Sequence, residues 1–264
     1  MNNKKNILRY ILCCTILISI FIVILSACIN GQSNRENAYI LLPASDENTN
    51  ADNNAINIST STLSYILPDP DTDGDISVEN ALSTRRSHRS YRNESISKEQ
   101  LSQLLWAAYG ITSSNNFRTA PSAGATYPLE IYAVIGDVTG IEPGLYRYIP
   151  KEHKIEQTIS GDIRKELGET TFSSTNSKMI IDAPVTITYC AVFERTTGRY
   201  GERGRNYVFI ELGHSAQNVY LQAEALGLGT CAIGAFSDID VSALLQLSQN
   251  EEPIYLLPVG YISG

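Results

Sequence analysis

The sequence predicts one globular domain, residues 69–264, that combines α-helices with β-strands. Three observations predict this class. Residues 97–110 repeat apolar side chains at helical spacing, residues 129–135 and 184–193 are short apolar runs rich in β-branched residues, and residues 206–226 repeat apolar side chains at helical spacing over a longer range. A domain of this size is large enough to bury a single core.

The first 28 residues have the pattern of a secretory signal. Three basic residues precede a mostly apolar, uncharged run over residues 11–25, and small residues follow it up to Cys28. The segment Leu-Ser-Ala-Cys looks like a prokaryotic lipobox. We therefore expect a lipoprotein signal peptide over residues 1–28, a lipid on Cys28, and a place on the extracytoplasmic side of the cell membrane. A transmembrane anchor stays open as the alternative, because the run is only slightly shorter than a span.

Residues 29–68 consist mostly of Asn, Ser, Thr, Asp and Ala, with few large apolar groups. Such a segment cannot bury enough surface to offset its ordering entropy, so we expect a disordered polar tether. The signal holds three of the 20 Lys and Arg residues, which leaves 17 in the mature chain against 28 Asp and Glu. This acidic balance gives no support to nucleic-acid binding, which needs a basic surface.

Two cysteines remain outside the signal region, Cys190 and Cys231, both in apolar contexts. We expect two buried free thiols, with a disulfide as the alternative outside the cytoplasm. No spacing of Cys and His residues indicates a metal site.

The helix over residues 97–110 is predicted from its N-terminal capping box, in which Ser97 caps the helix and Gln100 occupies the third position. The other expected elements are a surface hairpin from 146–148 and 154–157, a short helix in 161–169, a polar connector over 194–205, a last short helix capped by Asp238 or Asp240, and a closing strand over 253–262 with Pro258 at an edge or bulge.

The candidate binding elements are an arginine cluster and two loops of small residues. Arg85, Arg86 and Arg89 surround Ser87, and guanidinium forks with a hydroxyl are what a phosphate group needs. The two loops, 121–126 and 229–236, each adjoin an apolar run and let a flat ligand approach the backbone. The set suits a flat, phosphorylated cofactor, while the motifs of a Rossmann site and a P-loop are missing from the sequence.

At this point the sequence resembles the nitroreductase-like FMN flavoproteins, and within them the SagB-type dehydrogenases, from about Asn80 to the end. The motifs that carry the resemblance are Arg85-Arg86-Ser87-x-Arg89, Pro121-Ser122-Ala123-Gly124 with Tyr127-Pro128, Gly213-His214 with Gln217-Asn218, the run Gly229–Phe236, and Pro258-Val259-Gly260-Tyr261.

The resemblance implies an α+β fold with a central, mostly antiparallel sheet flanked by helices. It also implies a homodimer whose core is the long helix, with FMN bound at the subunit interface by both chains. Arg85 and Ser87 would bind the FMN phosphate, Arg86 is a further cofactor-binding residue, and Arg89 would face the N1/O2 edge of the flavin. Gln217 or Asn218 would contact the cofactor. The residues expected to line the ring or lie near N5 are Pro121, Ser122, Ala123, Gly124, Ile233, Gly234 and Ala235.

The implied function is an FMN-dependent oxidoreductase that acts on a small organic or peptide-like substrate, with an unidentified electron partner. The azoline-oxidising members carry a Lys-Tyr pair at the position of Arg199-Tyr200. Tyr200 is therefore the candidate catalytic residue. Arginine is too basic to accept a proton near neutral pH, and this disfavours a peptide azoline dehydrogenase.

Two further readings come from other classes of protein. A non-enzymatic solute-binding lipoprotein would share the signal and the tether, but the domain is small for two lobes and would not need the arginine cluster. A hydrolase that uses Cys190 or Cys231 with His214 is disfavoured by the apolar surroundings of both thiols.

Overall fold

The computed structural model of the protein describes residues 63–263. The expected signal peptide, Cys28 and the tether up to residue 62 lie outside the described residues. No helix in the described range is long and apolar enough to cross a bilayer.

The described residues form one seven-stranded sheet in which every neighbouring pair of strands is antiparallel. In chain order the strands are β1 (Ser64–Ile66), β2 (Leu129–Ile135), β3 (Gly144–Ile149), β4 (Lys154–Ser160), β5 (Val185–Ala191), β6 (Leu228–Thr230) and β7 (Glu252–Tyr261), and their order across the sheet is β1-β4-β3-β2-β5-β7-β6. The central strands are buried on both faces, which is why β2 and β5 read as continuous apolar runs.

Helices cover both faces of this sheet. In chain order they are α1 (Val78–Thr84), α2 (Lys98–Tyr109), a short 3₁₀ turn (Ala123–Ala125), α3 (Arg164–Glu169), α4 (Ser174–Asp182), α5 (Glu194–Tyr200), α6 (Arg203–Ala225) and α7 (Asp238–Leu244). One core cluster joins α2 and α6 to the face that carries Ile131 and Ala133. A second cluster joins α3, α4 and α7 to the face that carries Tyr132 and Val134. The fold is therefore α+β, as expected.

Most of the predicted elements are confirmed at nearly the expected bounds. The capping box is present, because Ser97 Oγ accepts from the Gln100 amide and the Gln100 side chain accepts from the Ser97 amide. Strand β2 has the predicted limits, α3 lies inside 161–169, and α6 spans 23 residues around the predicted long helix.

Five local expectations differ from the structure. The polar connector over 194–205 contains helix α5, held by long-range contacts that its sequence does not signal. The hairpin of β3 and β4 is not a surface feature, since Tyr146, Tyr148 and Ile155 are fully buried. Ser237, rather than Asp238 or Asp240, caps α7. Pro258 lies in an interior strand, β7, just beyond the last residue that pairs with the three-residue β6.

The fifth difference concerns residues 63–68, which the sequence analysis assigned to the tether. Strand β1 pairs with β4 at the edge of the sheet, and Leu67 is buried in the core. The short apolar patch of this segment pairs with a free edge of the sheet. The composition of the residues before it is that of a disordered segment.

Candidate functional site

The arginine cluster (Arg85, Arg86, Ser87 and Arg89) begins where α1 ends. Arg85 follows the last residue of α1 and is half-buried, and its guanidinium lies over the ring of Tyr220 at 5.4 Å. Ser87 Oγ lies 3.4 Å from the hydroxyl of the same tyrosine. Tyr220 on α6 therefore orients both the guanidinium and the hydroxyl of the expected phosphate site.

The cluster is joined to the second small-residue loop by backbone contacts. Ser87 forms a parallel bridge with Thr230, and the His88 amide donates to the Thr230 carbonyl at 3.0 Å. The Ala232 amide donates to the Tyr220 hydroxyl at 2.8 Å. The loop over 231–236 is thus fixed against the arginine cluster.

The charge of this cluster is not neutralised within the described residues, where Arg85, Arg86 and Arg89 form no ion pair with a carboxylate. Arg86 donates to the carbonyls of Ser83 and Arg85, and Arg89 donates to the Ser87 carbonyl. In an acidic protein, three exposed or half-buried arginines beside the Ser87 hydroxyl favour an anionic ligand.

The loop over 231–236 presents its backbone to solvent at two positions. Ile233 is buried and bridges to Leu256, whereas Gly234 and Ala235 are exposed. The nearest atom that a Cβ at Gly234 would meet is in the ring of Tyr255, at 3.7 Å. At Gly234 there is therefore room for a flat ring to approach the backbone.

The first small-residue loop, predicted over 121–126, has an unusual backbone over residues 122–127. Gly124, Ala125 and Tyr127 have φ angles of 61°, 52° and 46°, so two residues with side chains occupy the left-handed region. Such conformations cost of order 1–3 kcal/mol each and persist only where surrounding contacts impose them. The loop is therefore strained and must be held by its neighbours.

Helix α5 holds this loop from one side. Arg199 donates to the Gly124 carbonyl at 3.0 Å, Arg195 donates to the Tyr127 carbonyl at 2.9 Å, and the Thr126 and Thr196 hydroxyls are 2.8 Å apart. A Cβ at Gly124 would collide with the Tyr200 hydroxyl and the Arg199 guanidinium. Tyr200 and Arg199 therefore lie directly against Gly124.

A buried carboxylate on α6 lies on the other side of the loop. Glu211 has 2 % exposure, accepts a hydrogen bond from the Tyr109 hydroxyl on α2, and lines the same cavity as Ser122. Burial raises the pKa of Glu211, and hydrogen bonds from Ser122 and Tyr109 together with the Arg118 charge oppose that shift.

A cavity of about 240 Å³ opens beside this carboxylate. Its lining residues come from the loop and from α6, and they are Pro121, Ser122, Ala123, Tyr207, Ile210, Glu211 and His214. Gln217 is half-buried on the same helix.

The predicted site residues therefore fall into two groups in one chain. The first is the arginine cluster with residues 233–235, and the second is the loop 121–124 with Tyr200. Within the described residues, no side-chain hydrogen bond joins the two groups directly, although α6 contacts both.

The hypothesis of a hydrolase with a cysteine nucleophile finds no support in the described part of the chain. Cys190 and Cys231 are free and buried, as expected for structural thiols. Burial raises the pKa of the Cys190 thiol well above its ordinary value, which disfavours the nucleophilic thiolate. No group of three His, Cys, Asp or Glu residues within 63–263 is arranged to hold a metal ion.

Sequence reasoning missed Tyr109, Glu211 and the role of Tyr220. A usable signal existed for Glu211, because it lies at helical spacing from Val208 and Ser215, both of which are buried. An acidic residue on the buried face of a helix indicates a bound or paired carboxylate.

Comparison with known proteins agrees with this geometry. The Nitroreductase family profile matches residues 82–261. The nitroreductase-family protein MJ1384 of Methanocaldococcus jannaschii is 44 % identical over 199 residues, which are 75 % of this chain and 96 % of the relative. A solved nitroreductase-type structure from Ralstonia eutropha has a TM-score of 0.67 and 28 % identity, covering 76 % of this chain and 90 % of that one.

A third relative is the Escherichia coli microcin B17-processing protein McbC, 25 % identical over 147 residues, which are 50 % of this chain and 49 % of McbC. A chain of the solved microcin synthetase McbBCD complex with truncated pro-MccB17 shares the fold, with a TM-score of 0.59 and 22 % identity over 76 % of this chain and 79 % of that one. The likeness deduced from the motifs is thereby confirmed, and the chain belongs to the Nitroreductase family of oxidoreductases.

Proposed function

We propose that this protein is an FMN-dependent oxidoreductase. The observation that carries the proposal is the arginine cluster, whose three guanidiniums lack carboxylate partners in the described residues and lie beside the Ser87 hydroxyl. Arg85, Arg86 and Ser87 would hold the phosphate, and Arg89 would lie at the N1/O2 edge of the ring. When bound, FMN accepts or donates a hydride at its ring.

We propose that the protein works as a homodimer and that each FMN site uses both chains. Apolar side chains are exposed on α1 and α6, including Val78 and Leu82 on α1 and Phe209 and Ile210 on α6. Exposed apolar groups of this number suit a protein interface. The separation of the two site groups within one chain supports the same arrangement, since loop 121–124 of one chain would complete the arginine cluster of the other.

We propose a small organic or peptide-like substrate, with Tyr200 against it. A peptide azoline dehydrogenase is the second candidate, and the likeness to McbC favours it. Arg199 weighs against it, because a guanidinium has no acceptor atom for a proton and the Arg199 side chain already donates to the Gly124 carbonyl.

We also propose that Cys28 carries a lipid that anchors the domain on the extracytoplasmic side of the membrane. The basic residues, apolar run and lipobox of residues 1–28 support this location. Labelling with a fatty-acid analogue should mark the wild-type protein and not a Cys28→Ala variant. Equal labelling of both would contradict the anchor.

The proposed function is tested on the full-length protein purified in detergent. We expect a flavin absorbance band and one FMN per chain. Anaerobic mixing with a small organic or peptide-like substrate should bleach that band. An azoline-containing peptide that bleaches the flavin would support the second candidate. A colourless protein that binds no added FMN would contradict both candidates.

A further inference from the structure

Phe172, in the short connection between α3 and α4, is 72 % exposed, more than any other phenylalanine within residues 63–263. None of the aromatic pairs in this range includes its ring. Exposure alone assigns no role to it, because single apolar residues are common on protein surfaces. Its position beside the loop over 231–236 is what distinguishes it.

The backbone at Phe172 is bound to that loop. The Phe172 amide donates to the Ala235 carbonyl at 3.1 Å. The preceding residue, Thr171, forms an antiparallel bridge with Phe236, and a second backbone hydrogen bond, of 2.9 Å, closes the bridge on its other side. Phe172 therefore has a fixed backbone position beside Ala235.

The side chains at this bridge alternate between the core and the solvent. Residues that face each other across an antiparallel pair point to the same side, and the next residues point to the other side. Phe236 is buried, at 5 % exposure, so Thr171 and Phe236 face inwards. Phe172 and Ala235 are then opposite each other on the outer side, where the Cβ atoms of such a pair are about 4.5–5.5 Å apart. The exposure of both residues agrees with this placement.

Two structural roles that could explain Phe172 do not fit its surroundings. An apolar residue just before a helix N-cap can pack against the fourth residue of the helix, but in α4 that residue is Ser177. The proposed subunit interface uses α6, which packs on the face of the sheet that carries Ile131. Phe236 belongs to the core cluster on the opposite face. The ring of Phe172 is thus left for a ligand of the loop.

The chemistry of this place suits a flat, apolar group. A phenylalanine ring offers a ligand a surface for stacking and no hydrogen bond. Next to it, Gly234 leaves its backbone accessible, since the nearest atom to a Cβ there would be 3.7 Å away. A sugar or a charged group would find no polar side chain at Phe172, Gly234 or Ala235 to replace its bound water.

We propose that Phe172 is a specificity-determining residue, whose ring holds a flat, apolar group of the substrate by stacking beside Gly234 and Ala235. The role rests on the proposed function, because residues 233–235 meet the substrate only if the flavin ring lies beside them.

Calorimetric titration of the oxidised, full-length protein tests the role with 1-naphthol as the probe. Decahydro-1-naphthol is the control ligand, because it has the same carbon skeleton without a flat ring. Phe172→Leu keeps an apolar side chain and removes the aromatic ring. We expect it to raise the Kd of 1-naphthol by roughly 2- to 13-fold, as for the loss of an aromatic pair. The Kd of decahydro-1-naphthol should change less.

Two further variants separate stacking from general effects. Phe172→Tyr keeps the ring and should keep the affinity for 1-naphthol. Ile66→Ala is the matched control, since Ile66 is 65 % exposed and lies on β1, at the opposite edge of the sheet from β6. It should bind the probe as the wild type does.

Equal Kd values of Phe172→Leu and wild type for 1-naphthol, with one FMN bound per chain, would overturn the role and leave the proposed function standing. Absence of 1-naphthol binding to an FMN-loaded wild type, or an equal loss in Ile66→Ala, would overturn it as well. Light scattering on each variant gives the oligomeric state. A monomeric Phe172→Leu beside a dimeric wild type would assign Phe172 to the interface and overturn the role. A wild-type protein that binds no added FMN would overturn both this role and the proposed function.

Discussion

At the scale of single residues, the arginines of the cluster have different surroundings although they are neighbours in sequence. Arg85 is half-buried and stacked on Tyr220, whereas Arg86 is exposed and donates to backbone carbonyls at the end of its own helix. A guanidinium that is already oriented loses less side-chain entropy when it binds an anion. Arg85 is therefore the stronger candidate for the phosphate.

We expect Arg85→Ala to weaken FMN binding by about 1.5–3 kcal/mol, roughly 10- to 150-fold in Kd, as for a hydrogen bond to a charged group. Arg86→Ala is the matched control and should have a smaller effect. Quenching of flavin fluorescence during titration measures both values. Equal losses would contradict the distinction between the two residues.

Glu211 should also leave a signature in the pH dependence of stability. Burial raises its folded pKa above the ordinary value of 4.5, so the folded state binds this proton more tightly than the unfolded state. The resulting stabilisation is fully present below pH 4.5 and is lost as the pH rises through the folded pKa.

Because Glu211→Gln cannot titrate, the unfolding free energy of the wild type should fall relative to that of the variant as the pH rises from 4.5. Urea denaturation at a series of pH values measures the difference. Parallel curves for the two proteins would contradict a raised pKa.

At the scale of elements, much of the fold could be predicted from local pattern. Local signals were enough to predict three elements: a cap for the start of α2, an apolar run for β2 and a helical repeat for α6. Helix α5 and strand β1 were not, because each is stabilised by distant residues. Arg195 of α5 is paired with Glu130 of β2, and β1 pairs with β4.

The site residues likewise divide into those that local sequence reveals and those that only the folded chain reveals. Motif residues such as Arg85 and Gly124 could be found from sequence, whereas Tyr220 and Glu211 matter through contacts that only the folded chain brings together. Their spacing along α6 predicts burial but does not identify the loops that they meet.

The junction between the arginine cluster and β6 depends on a close approach at Gly229. A Cβ there would lie 2.8 Å from the Cβ of His88, which is too near its own backbone to move away freely. We expect Gly229→Ala to lower the unfolding free energy by about 1–3 kcal/mol, as for overpacking. Gly234→Ala, whose Cβ would be 3.7 Å from Tyr255, should change stability little. Similar thermal denaturation of both variants would contradict the close packing.

The N-terminal strand is fastened by His153, whose Nε2 lies 2.9 Å from the Pro68 carbonyl and whose Nδ1 lies 2.8 Å from the Tyr148 hydroxyl. The Ser102 hydroxyl also lies 2.7 Å from Nε2, and its proton is donated to the same Pro68 carbonyl at 2.6 Å. Since neither partner then offers Nε2 a proton, Nε2 carries the imidazole proton and Nδ1 accepts from Tyr148. Burial lowers the pKa of His153. Burial therefore favours the neutral imidazole of His153 in the folded protein.

Stability contributed by neutral His153 is present above pH 6.5 and is lost as the pH falls through the lower folded pKa. We expect a His153→Gln variant to lack this part of the acid dependence. The unfolding free energy measured below pH 6.5 gives the test, and an identical slope in the variant would contradict it.

At the scale of the whole molecule, the exposed apolar surface and the separation of the two site groups both favour a dimer. Helix α6 contacts both site groups, and the same helix exposes Phe209 and Ile210. If loop 121–124 of one chain completes the arginine cluster of another, association and flavin binding must be coupled. A ligand that binds only the assembled form stabilises that form by mass action.

We therefore expect a charge on the exposed face of α6 to remove the dimer and the bound FMN together. Ile210→Glu places a carboxylate in the proposed interface, where it would be desolvated without a partner. Ile239→Glu on α7 is the matched control, since Ile239 is also exposed, at 82 %. Light scattering coupled to size exclusion gives the oligomeric state, and absorbance gives the flavin content of each peak. A monomeric Ile210→Glu protein that keeps its full FMN content would show that one chain is enough for the site.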